Sequence, residues 1–375
     1  MASPLPSDPI ELALAPLDRV RLWTLRWTMP LSSRLAGARE ARVALVGVSV
    51  IVFAAIASLL APLWLLALGP IVLGVPHLLA DVRYCVLRPS WQRERALWLT
   101  AGVPLLAIGL GAGFEIGLLG VAASALALPG DCQERFAPAG RATADRRRDH
   151  FRSSQVRLSG ECRHSRRRAA VAAGALGLAA VAWRFDTLTD LCLAHLHNFI
   201  AIGLWAAWRP RSSKLHMIPL TLFGLACGAL LLGFGDLAWS RGAPGLPEGL
   251  DRSSHLATLA PGIAAPWASR LVLLYCFAQA VHYGVWLRMV PEDDRDRPTP
   301  RSFRASYQAL RADLHPWLLV GFALATAGLA IWACVDLVEA RIGYFRFARF
   351  HGMLELLAVG LLIIHGRRRE PGSPR

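Results

Sequence analysis

The chain has 375 residues, 54% of them hydrophobic and 18% charged, and its mean hydropathy of +0.40 is too high for a soluble enzyme carrying this much charge. A net charge of +15 does not imply a nucleic-acid partner, because the arginines lie between apolar blocks and not on a polar domain. Seven scattered cysteines without a Cys-x-x-Cys pair argue against a disulfide framework or a thiolate metal cluster, and there is no phosphate loop, dinucleotide fingerprint or nucleophile elbow.

Taken in order, residues 1–42 form a cytoplasmic or interfacial leader. Within it, 8–28 mixes Leu12, Leu14, Val20, Leu22, Trp23 and Trp27 with Arg19, Arg21 and Arg26, a pattern that fits an interfacial helix on anionic lipid and equally a solvated leader. No cleavable signal pattern precedes the first apolar run, which is read as an uncleaved anchor. Crossings are expected at 43–61, 63–82, 96–113, 115–129, 169–185, 188–208, 217–239, 267–289, 315–338 and 345–366, most of them long enough for roughly 30 Å of hydrocarbon. The fourth is short and carries Glu115, so an eight-crossing version lacking the third and fourth stays open. Strands are excluded by the lack of alternation. The stretch 130–168, dense in Arg, Ser and Gly, reads as a basic disordered cytoplasmic loop, and 367–375 as a basic tail.

The expected fold class is therefore all-α: a polytopic transmembrane helix bundle spanning 43–366, with the lipid bilayer as its solvent. Of the 41 basic residues, all but Arg184, Arg241, Arg252, Arg270, Arg341, Arg346 and Arg349 fall in segments that alternate onto one side. The positive-inside rule makes that side the cytoplasm, with both termini there and the chain multi-pass in the cytoplasmic membrane. Trp64, Trp98, Trp183, Trp208, Trp239, Trp267, Trp286 and Trp317 fall near the expected ends, where amphipathic rings gather.

Ionisable groups inside hydrocarbon cost roughly 2.5 to 3.5 kcal/mol or more each and ask for a reason. His77 and Asp81 lie four apart, on one helical face, in Gly74-Val-Pro76-His77-Leu-Leu-Ala-Asp81. His351 and Glu355 repeat the spacing. His195 and His197 sit in Ala194-His195-Leu-His197-Asn198, and Gln279 precedes His282 by three. At 1.5 Å rise per residue these histidines fall within a slab about 14 Å thick on four different helices. Turned toward one another they make a multi-histidine site of the kind that suits iron, copper or zinc. Asp81 and Glu355 would be ligands, or the acceptors that fix an imidazole tautomer. The blander reading of any one of them is a satisfied interhelical hydrogen bond. His216, His315 and His365, beside arginines at helix ends, read as interfacial, and His150, His164 and His255 as loop residues without evident role.

At Gly74-x-Pro76-His77-x-x-x-Asp81 the chain resembles the bacterial Brp/Blh-type β-carotene 15,15′-dioxygenases, multi-helix membrane proteins. Leu78 stands where that family has glycine. His282 is similar in placement to the family's later histidine segment, but Trp286 replaces the second histidine of its His-x-x-x-His pair. The resemblance implies Fe(II), molecular oxygen and an apolar polyene substrate arriving from the bilayer, with His77 and His282 as iron ligands. His195, His197, His351 and Glu355 come from the depth argument alone. The expected activity is thus a metal-dependent oxygenase, with non-haem iron as the resemblance implies, on a lipophilic small molecule such as a carotenoid. A proton- or ion-coupled transporter and a haem or quinone electron carrier fit the same buried residues.

Overall fold

The computed structural model describes residues 8–27, 38–127, 150–209, 211–294 and 302–365, and among them every regular element is helical. In chain order the helices are α1 (Pro9–Trp27), α2 (Arg39–Leu60), α3 (Pro62–Asp81), α4 (Arg95–Gly109), α5 (Phe114–Ala127), α6 (His150–Arg184) and α7 (Asp186–Trp208). Then come α8 (Met217–Leu231), α9 (Asp236–Ser240), α10 (Arg252–Leu259), α11 (Trp267–Gly284), α12 (Phe303–Asp313), α13 (Pro316–Val335) and α14 (Leu337–His365). Among the described residues, six stretches are long and apolar enough to cross a membrane: Arg39–Leu60, Pro62–Leu87, Asp186–Ala207, Trp267–Asp293, Pro316–Val335 and Leu337–His365. The chain is therefore an all-helical protein with membrane-spanning character. The expected segment 217–239 is shorter than read from sequence, since α8 stops at Leu231 before the short α9.

Local chemistry sets the helix limits. Pro62 and Pro316 open α3 and α13, where a missing N–H leaves no donor unsatisfied, and Ala61 before Pro62 leaves the helical region (φ −148°, ψ 60°) as a residue before proline tends to. The carboxylate of Asp336 accepts the Glu339 N–H at 3.0 Å and so caps α14, while the Asp251 carboxylate accepts the Ser254 N–H and caps α10. The hydroxyls of Ser253 and Ser254, with that amide, hold the Asp251 carboxyl down at about 2.

The described residues fall in two compact units, the first within Met1–Pro89 and Asn198–Phe345, the second within Ser90–His197 and Arg346–Arg368. In the first unit the acidic run Glu292-Asp293-Asp294, with Asp313, gathers arginines from three other segments. Arg39 and Arg211 pair with Asp293 at 2.7 and 2.8 Å, Arg42 with Glu292 at 2.9 Å, and Arg209 with Asp294 at 2.7 Å. Arg88 reaches both Asp294 and Asp313, and Arg83 meets Asp313 at 2.6 Å.

In the second unit an alanine stripe on α6 (Ala172, Ala175, Ala179, Ala182) is buried in clusters that include Val121 and Ala122 of α5 and Leu118. Small side chains let helices approach closely where no hydrophobic force acts between them. Leu357 and Leu361 of α14 complete one of these clusters.

Two expectations change. The basic stretch 130–168 was expected to be disordered, but α6 begins at His150. Arginine is a good helix former, and no proline interrupts 150–184; residues 128–149 lie outside the described residues. Trp286, expected at an interface, is fully buried, because α11 continues inward through a π-helical turn, Val285–Met289, that carries it into the core.

α1 packs on α12. The Asp18 carboxylate accepts the Phe303 N–H at 2.6 Å and pairs with Arg304, while Asp8 takes the Tyr307 hydroxyl at 3.1 Å. Burial pushes the Asp18 carboxyl up, but the amides of Phe303 and Arg304 and the guanidinium of Arg304 outweigh it and hold the group below its ordinary value. A carboxyl depressed in the folded state stabilises above its unfolded pKa, and that stabilisation is lost as pH falls through the folded value. Hydrogen-exchange protection of the Phe303 and Arg304 amides is therefore expected to hold from pH 7 to 5 and to collapse below about pH 4. Asp18→Asn should lower it at every pH; undiminished protection at pH 3 would show that the carboxylate is not the clasp.

Candidate metal centre

The first unit brings two of the expected ligands together from separate helices. His77 on α3 and His282 on α11 are both fully buried, and their rings meet edge to face with centroids 5.3 Å apart. With metal–nitrogen bonds of about 2.0–2.1 Å, two imidazoles sharing a cation at a near-tetrahedral angle place their centres roughly 5 Å apart. The tautomer also fits: Nδ1–H of His77 donates to the Leu73 carbonyl at 3.2 Å, which directs the Nε2 lone pair outward as a ligand atom.

Asp81 lies one turn beyond His77 and is fully buried. It reads from sequence as a ligand or as the acceptor that fixes the imidazole; the Nδ1–H of His77 is taken by a backbone carbonyl. Two features of the local chain explain the geometry. Pro76 has no N–H to give to the preceding turn, and α3 passes directly after Asp81 into a π-helical turn, Val82–Leu87. α11 does the same at Val285, three residues after His282. Such π segments are rare and concentrate at functional sites.

The second unit pairs His197 of α7 with His351 of α14, rings edge to face at 5.1 Å. Nδ1–H of His197 donates to the Leu193 carbonyl at 3.0 Å, and that of His351 to the Ala348 carbonyl. Of the two alternatives on α7, both half-buried, His197 is the one whose ring meets His351. Glu355 is fully buried one turn after His351, and here too the bond at imidazole Nδ1 goes to a carbonyl.

Some residues at the first pair were not read from sequence. The Tyr283 ring lies 4.7 Å from that of His77 and 5.9 Å from that of His282. Tyr344 closes over Gly74, where an added Cβ would sit 2.5 Å from the ring, so only glycine lets α3 and this tyrosine approach so closely. Arg341 donates to the Leu66 carbonyl at 3.0 Å and lies 4.8 Å from the Phe345 ring centre. The adjacency Tyr283–His282 and the glycine three before His77 were the available signals. Gln279 donates to the Tyr275 hydroxyl at 3.1 Å.

The remaining histidines are placed outside these pairs. His315 accepts the Trp317 N–H and caps α13, and His216 donates to the Ser213 carbonyl. His164, expected in a loop, lies in α6 with its ring 5.2 Å from that of His365. His255, also expected in a loop, is buried on α10. No family model, curated protein or solved structure matches the chain.

Proposed function

We propose that the chain is a membrane-embedded, iron-dependent oxygenase acting on a lipophilic substrate such as a carotenoid, with His77 and His282 as metal ligands in the first unit and His197 and His351 as the corresponding pair in the second. The observation that carries this reading is the His77–His282 pair: two buried imidazoles from different spans at metal-sharing spacing, one with its tautomer set by a backbone carbonyl. His351 is buried as well and carries the same kind of carbonyl bond. The Gly74-x-Pro76-His77 resemblance to the Brp/Blh-type dioxygenases supports iron over copper or zinc, although Leu78 and Trp286 depart from that pattern.

When bound, iron held by neutral imidazoles supplies oxygen activation with coordination positions left open. The protein's part is to hold the imidazoles and keep water out. Phe277, Val281, Val285 and Trp286 of the α11 stretch are fully buried around His282, and Tyr283 packs a ring against His77. A polyene has no need of an aqueous entrance, since it reaches such a site sideways from the bilayer.

The topology belongs to the same proposal: ten crossings with both ends in the cytoplasm. Its support is that Arg39, Arg42, Arg83, Arg88, Arg209 and Arg211 come from three segments that the charge rule assigns to one side, and all join one ion-pair network.

Metal analysis of the purified full chain tests the centre. Iron is expected in the wild type, and His77→Ala and His282→Ala are each expected to lose the iron that this pair holds. A His77→Ala protein with wild-type iron or copper occupancy would end the assignment.

A further inference from the structure

Among the described residues outside the spans, α1 carries a run of exposed, mostly apolar side chains. Ile10, Ala13, Leu17, Val20, Thr24 and Trp27 recur at intervals of three and four, which aligns them in one stripe. Every one is exposed, with Val20 at 62% and Trp27 at 77%. Trp23, also exposed, widens the stripe and stacks its ring 5.6 Å from that of Trp27.

The acids of α1 occupy the other side. Asp8, Glu11 and Asp18 all turn to α12, where they meet Tyr307, Gln308 and the amino end of that helix. Docking on α12 therefore removes the negative charge of α1 from its outer surface. At 3.6 residues per turn Arg21 lies beside one edge of the apolar stripe, and Arg19 and Arg26 lie beyond Trp23 on its other side.

We propose that the outer face of α1 lies flat on an anionic lipid surface, its apolar stripe in the acyl boundary and its arginines on phosphate groups. Two aromatic rings, an apolar arc and basic borders are the features that hold a helix in the plane of a membrane interface. The charge pattern selects this occupant over a second copy of the chain, because two such faces brought together would set arginine borders against each other. α12 then acts as the base that fixes the helix in register, so lipid charge is read by a helix clasped to the bundle.

The test uses the full chain in lipid nanodiscs, with Val20→Cys carrying an environment-sensitive dye and the other reactive cysteines changed to serine. In discs of phosphatidylcholine with phosphatidylglycerol the dye should be blue-shifted and shielded from a water-soluble quencher, more than in phosphatidylcholine alone. An arginine at an anionic surface contributes about a fivefold gain in partition, so Arg19→Gln with Arg26→Gln should erase most of the difference between the two discs. Raising the salt on the unaltered arginines should do the same, which keeps the test decisive if the double variant folds poorly. A dye equally quenched in both discs overturns the proposal. So does a dye shielded equally in both at every salt concentration, which would mean that protein covers the face.

Discussion

Asp293→Ala is expected to lower the stability of the protein by about 3–5 kcal/mol, the penalty for leaving a buried charge without its partner. The Asp293 side chain is 0% exposed and takes both Arg39 and Arg211; the Arg211 side chain is only 5% exposed. Removing the carboxylate strands that guanidinium in a site with little water. Arg211 also donates to the Trp205 carbonyl at 2.7 Å and lies 4.9 Å from the Trp205 ring centre, so the damage reaches the end of α7. A neutral Asp293→Asn side chain should rescue little, because it restores shape without charge. Thermal unfolding in detergent reads the loss. The ion pair between Arg349 and Asp190, with side chains 27% and 37% exposed, is the internal comparison: Asp190→Ala should cost no more than about 1 kcal/mol.

Trp286→Ala is the second large effect, about 3–5 kcal/mol from lost burial and an unfilled cavity. The indole is fully buried, among Val285, Met289 and Val290, which are fully buried too. Because Trp286 follows His282 by four residues, the cavity opens on the histidine's own face of the helix. Trp286→Phe, which keeps most of the volume, should recover more than half of the loss in the same unfolding measurement. If Trp286→Ala melted like the wild type, the π-helical turn would not be packing this ring into the core.

Both residues show what sequence could and could not reveal. The all-helical, membrane-spanning character was legible because apolar runs longer than 18 residues have few other uses, and the six long apolar helices fall on expected segments. That His77 and His282 lie on two separate long apolar helices was legible from the apolar runs alone. Helix rotation was not: a span that is apolar all round has no preferred face, and α11 shows almost none. That two rings from α3 and α11 meet became visible only in three dimensions. Trp286 was misplaced for a related reason, since the position of a tryptophan near a helix end cannot tell an interface from a core that continues through a π turn. The network at Glu292-Asp293-Asp294 was hidden because its six arginines were explained by topology, which accounts for their side of the membrane and not for their partners. The onset of α6 at His150 was missed because composition was weighed over helix propensity, in which arginine ranks high.

The central claim is that His77 and His282 give nitrogen ligands to one metal ion, and a ligand exchange tests it most directly. The full chain loaded with Co(II) should show an imidazole-ligated spectrum, and His77→Cys and His282→Cys should each add a thiolate-to-cobalt charge-transfer band absent from the wild type. Cobalt spectra identical in the wild type and both cysteine variants would contradict the account, because the metal would then lie elsewhere.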